Sequence, residues 1–218
     1  MVVVIDHNHF GYKWVRKNMF SGRHNGAYYY SMEIVKNIIP NVNTERNWIT
    51  INIPNIGVDY AVVFIHNNLS VGQYEWLKKY KNLVLVCGVP ETCEKVKHLG
   101  RPVYLPLSVD VEDVKQYASE KTKDVAFVGR SAKTRGHIFP KGTDFICEVP
   151  REVMLQEMAK YCKVYAVGRC AIEAKILGCE VLPYDERFPD PSVWKVRDNL
   201  EVVPILQKAL DKIDGGRK

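Results

Sequence analysis

No apolar stretch in the 218 residues approaches the roughly 18 needed to cross a membrane. The opening residues, Met1-Val2-Val3-Val4-Ile5-Asp6, turn polar too soon for a secretory signal. The expectation is a cytoplasmic protein with no membrane span. Six cysteines are present, but they form no C-x-x-C pair and no Cys/His spacing of a zinc site. Cys87, Cys93, Cys147, Cys162, Cys170 and Cys179 mostly sit in or beside apolar runs, where a free thiol behaves as a small hydrophobe. They are expected to be core thiols. Internal repeats and low-complexity tracts are also missing, which excludes solenoids and disordered tails.

What is there is a globular composition: 46% hydrophobic and 26% charged residues. The net charge of +6 is uneven. Residues 1–108 carry 12 Lys and Arg against 7 Asp and Glu, whereas residues 109–218 carry 19 against 18. A basic first half suits an anionic partner, although a solvated basic surface accounts for it equally well.

Hydrophobic patterning gives the element order. Val2–Ile5 is a continuous β-branched run, the mark of a strand buried in a parallel sheet. A helix is predicted over 26–36 and closes at Pro40, followed by strands at 48–53 and 60–65. A helix at 71–80, a strand at 83–87, a helix at 91–99 and a strand at 103–105 complete the first half. After a break near residue 108 comes a polar helix or linker at 113–121. A new series then runs as strands 125–128 and 144–149, helix 151–161, strand 163–167, helix 170–177, strand 180–182 and helix 200–213. The fold class expected is α/β, with two small Rossmann-like lobes facing across a cleft and divided as 1–108 and 109–218. Ligands of open parallel sheets bind beyond the carboxyl ends of the strands. The residues to examine are therefore 6–9, 66–68, 129–136 and 168–170.

Three ordered pieces of the second half carry a resemblance. Asp124-Val125-Ala126-Phe127-Val128-Gly129-Arg130 ends a strand in Gly-Arg, and Arg135-Gly136 follows five residues later. Cys147-Glu148-Val149-Pro150-Arg151 is a loop that leads into a helix. Cys170-Ala171-Ile172-Glu173-Ala174 opens a helix that ends at Gly178 before another strand. Together, across about 90 residues, they resemble the nucleotide-sugar lobe of GT-B glycosyltransferases. The resemblance implies a nucleotide-diphosphate sugar as donor substrate, with no cofactor or metal required. Gly129 would let the backbone approach the ligand, and Arg130 and Arg135 would meet the diphosphate. Val149 and Pro150 would pack on the base, Glu173 would accept the ribose hydroxyls, and Arg169 would lie beside it. Retaining members with this helix carry another glutamate eight residues before Glu173; here that place holds Tyr165.

In the first half the resemblance implies an acceptor lobe. Gly22-Arg23-His24-Asn25-Gly26 would be the loop facing the donor. His24, His66 and Asp6 are the candidate general bases for an acceptor hydroxyl. A histidine bonded only to its own loop explains His24 and His66 as readily. The basic surplus admits nucleic acid such as DNA as the acceptor. Tyr28-Tyr29-Tyr30 offers rings for stacking, though consecutive helical residues face different ways. His7 and His9 can chelate a metal, but the second half supplies no matching ligands. The rival from another class is a binding protein that keeps the nucleotide lobe and performs no transfer.

Overall fold

The computed structural model describes residues 2–5, 37–38, 41, 49–50, 60–65, 78 and 82–214. They fall into two compact units. One holds the described residues as far as Pro106 together with 200–214, and the other is Leu107–Asn199. A division at residue 108 places the last helix with the second half, whereas the contacts group it with the first. Among the described residues, no helix is long and apolar enough to cross a membrane.

The first unit is built on a parallel sheet of β1 (Val2–Ile5), β2 (Ile49–Thr50), β3 (Tyr60–Ile65), β4 (Asn82–Cys87) and β5 (Arg101–Tyr104). Its spatial order is β2-β1-β3-β4-β5. Leu83, Val84, Leu85, Val86 and Cys87 are all buried, so both faces of β4 are covered. This is why the sequence there is an unbroken apolar run rather than an alternating one. Helix α1 (Pro90–Val96) returns the chain to β5, with proline in its first turn, where a missing N–H costs nothing. Later in the chain, α5 (Asn199–Asp214) buries Val202, Leu206 and Ala209. That i, i+4, i+7 spacing is one apolar stripe. The helix predicted at 26–36 lies outside the described residues, as does that at 71–80 apart from Lys78.

The second unit contains α2 (Val111–Lys115), β6 (Lys123–Gly129), β7 (Asp144–Cys147), α3 (Arg151–Met158), β8 (Tyr161–Tyr165), α4 (Arg169–Ile176) and β9 (Glu180–Leu182). Its four strands are parallel in the order β7-β6-β8-β9. The two ends of the unit are fastened to each other. Val109 N–H donates to the Arg197 carbonyl at 3.2 Å, and Asn199 N–H donates to the Val109 carbonyl at 3.1 Å. Buried Ser108 donates its hydroxyl to Asn199 Oδ1 at 2.9 Å.

The two faces of this sheet are covered differently. Ala126, Val128, Ile146 and Val164 join Val114 of α2, Leu155 and Met158 of α3, and Ala171 and Ile172 of α4 in one core. Phe127 alternates with Ala126 and Val128, so it points the other way. There it meets Phe139 at 5.3 Å and Tyr184 at 5.5 Å between ring centroids. The strand order explains this. Chain passage from β6 to β7 runs opposite to the passages β7–β8 and β8–β9. Right-handed crossovers therefore place the β6–β7 connection on the opposite face from α3 and α4. In this chain that connection holds no α-helix, only a 3-10 turn, Ser131–Thr134, and a loop carrying His137 and Phe139. An aromatic strap covers the face that a helix covers in a doubly wound sheet.

Candidate functional site

Because β7 and β8 flank β6 on opposite sides, the connections leave β6 and β8 in opposite directions. The gap between their carboxyl ends is a topological switch point, the usual place for a ligand in this architecture. Two loops border it. Gly129, Arg130, the turn Ser131–Thr134 and Arg135 follow β6; Ala166, Val167 and Gly168 follow β8 and lead into α4.

Both loops turn on glycine. Gly129 has φ +153°, and a Cβ there would lie 3.3 Å from Phe127 Cζ. Gly168 has φ +64° at the N-cap of α4, with open space around it. An L side chain is disfavoured at both. Gly168 supplies no capping side chain, and the first turn of α4 contains no acidic residue. The positive end of this helix dipole is therefore left without a carboxylate from its own sequence.

Arg130 and Arg135 are exposed. The turn between them is closed by Lys133 N–H donating to the Arg130 carbonyl at 2.9 Å. The Arg135 carbonyl accepts from Arg187 Nη2 at 2.7 Å, and the same guanidinium clamps Asp185. That clamp holds the Asp185 carboxyl down at about 2. Glu148, at φ 51°, accepts from the Ser131 N–H at 3.2 Å and from its hydroxyl at 2.8 Å. This contact ties the loop after β7 to the loop after β6.

Glu173 lies deeper than the sequence suggests. Helix α4 begins at Arg169, so Glu173 sits one full turn inside it, buried to 1% exposure. Its Oε1 accepts from Arg169 Nε at 3.0 Å and from Arg151 Nε at 3.1 Å. Arg151 also donates to Asp113 Oδ2 at 2.8 Å. Burial pulls the Arg151 guanidinium down, but Glu173 and Asp113 more than reverse this and hold it above its ordinary value. Two arginines and two carboxylates thus bind α2, α3 and α4 into a buried, charge-balanced node. Oε1 of Glu173 is therefore already occupied by two guanidinium donors.

Val149 is half-buried and packs against the core, and Pro150 is the exposed N-cap of α3. Tyr165 ends β8 inside the aromatic strap, 5.2 Å from Phe139 and 6.1 Å from Tyr184. The structure thus brings Gly129, Arg130, Arg135 and Arg169 to the two loops, with Glu173 beneath them. Asp6, His7, His9, Arg23, His24, Tyr28-Tyr29-Tyr30 and His66 lie outside the described residues. Among the described residues, no group of three or more His, Cys, Asp or Glu side chains is placed to hold a metal ion.

Two side chains that the sequence reading passed over also converge here. Lys133 is half-buried, with Nζ 5.7 Å from the Phe188 ring centroid. Burial pushes its ammonium below the ordinary lysine range, and nearby Arg130 adds to the effect. Tyr184, 5.4 Å from Phe188, has its hydroxyl buried with no hydrogen-bond partner among the described residues. No local sequence pattern marks either residue, because the rings around Tyr184 (Phe127, Phe139 and Tyr165) are far apart in the chain. A hollow of about 510 Å³, lined by Gln116, Tyr117, Ser119, Gln156, Glu157 and Lys160, lies by the amino end of β8, away from these loops. No family model, no curated protein and no solved structure matches this chain.

Proposed function

We propose that the switch point of the second unit binds the diphosphate of a nucleotide-sugar, and that the chain transfers the sugar to an acceptor hydroxyl. The observation that carries this reading is the pairing of the Gly129-Arg130 loop with the acid-free start of α4 across the reversal in strand order. Such a site offers close backbone approach, guanidinium groups and a helix dipole to one anion. A departing diphosphate gains charge as the glycosidic bond breaks, so fixed cations lower the barrier to its departure. Arg130 contacts the diphosphate, and Val149 and Pro150 border the base. Arg169 and Arg151 are positioned by Glu173. The sequence pattern assigns Glu173 to the ribose, and its Oε1 is shared by Arg169 and Arg151. His24, His66 and Asp6 are the candidates for the base that takes the acceptor proton. An anionic acceptor such as DNA agrees with the basic first half.

One observation favours a second reading, binding without transfer. Tyr165 stands where retaining relatives in pattern carry a carboxylate, and it is packed among rings. One assay separates the two. Purified protein is offered a panel of nucleotide-sugars, with and without DNA, and released nucleoside diphosphate is followed. Acceptor-dependent release supports transfer. Tight donor binding with no release on any acceptor supports the binding protein. No binding of any nucleotide sinks both.

A further inference from the structure

We propose that Lys133 and Tyr184, rather than Arg135, complete the anion subsite beside Arg130 and contact the terminal phosphate of a nucleoside diphosphate. The inference rests on the diphosphate reading of the switch point and assigns residues that the sequence pattern does not.

Three features support it. Lys133 and Tyr184 flank the same ring: Nζ of Lys133 lies 5.7 Å from the Phe188 centroid, and the Tyr184 ring lies 5.4 Å from it. Both polar ends also lie within electrostatic reach of the Cys170 thiol, in the first turn of α4. Arg187, one residue before Phe188, donates to the Arg135 carbonyl at 2.7 Å and so holds this cluster against the loop that follows β6. Tyr184 is only 7% exposed, and its hydroxyl finds no acceptor or donor among the described residues. A buried hydroxyl without a partner is a standing cost that an incoming oxyanion removes.

Lys133 tells the same story from the cationic side. No carboxylate of the described residues pairs with it, and the groups acting on its ammonium are Cys170 and Arg130. A half-buried ammonium with no carboxylate partner among the described residues, in the same turn as a second cation, has the electrostatics of an anion subsite. Arg135, in contrast, is exposed, and its part of the loop is held through its carbonyl by Arg187. The ligand chemistry follows from the groups. An ammonium and a neutral phenol are both donors, so they suit phosphate oxygens and not a cation. Burial pushes the Tyr184 phenol up to about 12, so it keeps its proton at neutral pH.

The test is calorimetric titration of UDP, ADP, GDP and inorganic pyrophosphate into the wild-type protein and five variants: Lys133→Met, Lys133→Arg, Tyr184→Phe, Arg135→Met and Arg130→Met. Lys133→Met is expected to weaken the bound diphosphate by at least about tenfold, with Lys133→Arg recovering much of that. Tyr184→Phe, which keeps the ring and its packing, should cost about threefold or more, and Arg135→Met less than about twofold. Lys133→Met and Tyr184→Phe binding like wild type would overturn the inference. If Arg130→Met alone lost binding in that case, the diphosphate reading itself would stand. Arg135→Met losing as much as Lys133→Met would also overturn it. A wild-type protein that binds none of the four probes overturns the inference and the reading beneath it.

Discussion

Oε1 of Glu173 is shared by two guanidinium groups, Arg169 Nε at 3.0 Å and Arg151 Nε at 3.1 Å, and all three side chains are at least nine-tenths buried. Removing the carboxylate leaves two buried cations facing each other. Glu173→Ala should therefore cost about 3–5 kcal/mol of folding stability, measured by urea unfolding at neutral pH. Glu173→Gln keeps an acceptor in place and should cost less. Equal stability of Glu173→Ala and wild type would mean that the node does not hold the three helices together.

Lys133 makes a prediction with a definite sign. Its pKa in the folded state lies below the ordinary value of 10.5, chiefly through burial. Below the folded value both states carry the proton, and the unfolded chain is favoured because it solvates the ammonium. Stability should rise with pH from the folded value toward 10.5, where the unfolded chain binds more protons. Lys133→Met should be more stable than wild type at neutral pH, with the advantage shrinking as pH approaches that limit. Urea unfolding of both proteins across alkaline pH reads this directly; a constant difference would contradict it.

The aromatic strap should be a structural necessity. Phe127 is fully buried and touches Phe139, Phe145 and Tyr184. Phe127→Ala should cost about 3–5 kcal/mol by chemical unfolding. Phe139 is only half-buried, so Phe139→Ala should cost less but expose the sheet face and raise binding of an apolar dye. Loss of less than about 1 kcal/mol at Phe127 would show that the strap is not packed as described.

The thiols rank by exposure. Cys162 is exposed, whereas Cys87 and Cys179 are buried. Burial pushes the Cys87 and Cys179 thiols up and holds Cys170 at about 11. Alkylation of native protein near pH 8, followed by mass spectrometry, should label Cys162 first, Cys170 more slowly, and Cys87 and Cys179 only when the chain unfolds. Early labelling of Cys87 or Cys179 would contradict the packing of their strands.

Most strands of the described residues were legible in the sequence, because strands buried in a parallel sheet are short apolar runs with polar ends. Val2–Ile5, Tyr60–Ile65 and Glu180–Leu182 match residue for residue. The helix expected over 151–161 ends at Met158 instead, because Tyr161 already starts β8. Of the polar helix or linker predicted at 113–121, the helix is present but short and earlier, Val111–Lys115, capped by Asp110 Oδ1 accepting from the Asp113 N–H at 2.9 Å. The cysteine expectation held for Cys87 and Cys179 but not for Cys162, which is exposed near the start of β8.

The site was legible where it is local. Gly129, Arg130 and Gly168 announce their strand ends within a few residues. The node was not, since it joins Asp113, Arg151, Arg169 and Glu173 across three helices. Only the Arg169–Glu173 spacing of four residues hinted that the carboxylate faces its own helix neighbour rather than solvent. The strap was hidden for the same reason: Phe127, Phe139, Tyr165 and Tyr184 meet only once the sheet has formed.

The central claim is that an anionic nucleotide binds at the carboxyl ends of β6 and β8 in the second unit. Backbone amide NMR of the protein, titrated with a nucleoside diphosphate, tests it most directly. Binding there gives saturable shifts concentrated at residues 129–136 and 168–170, abolished or strongly weakened by Arg130→Met. Shifts confined to the hollow around Gln116, Gln156 and Lys160, or none at saturating nucleotide, would contradict it.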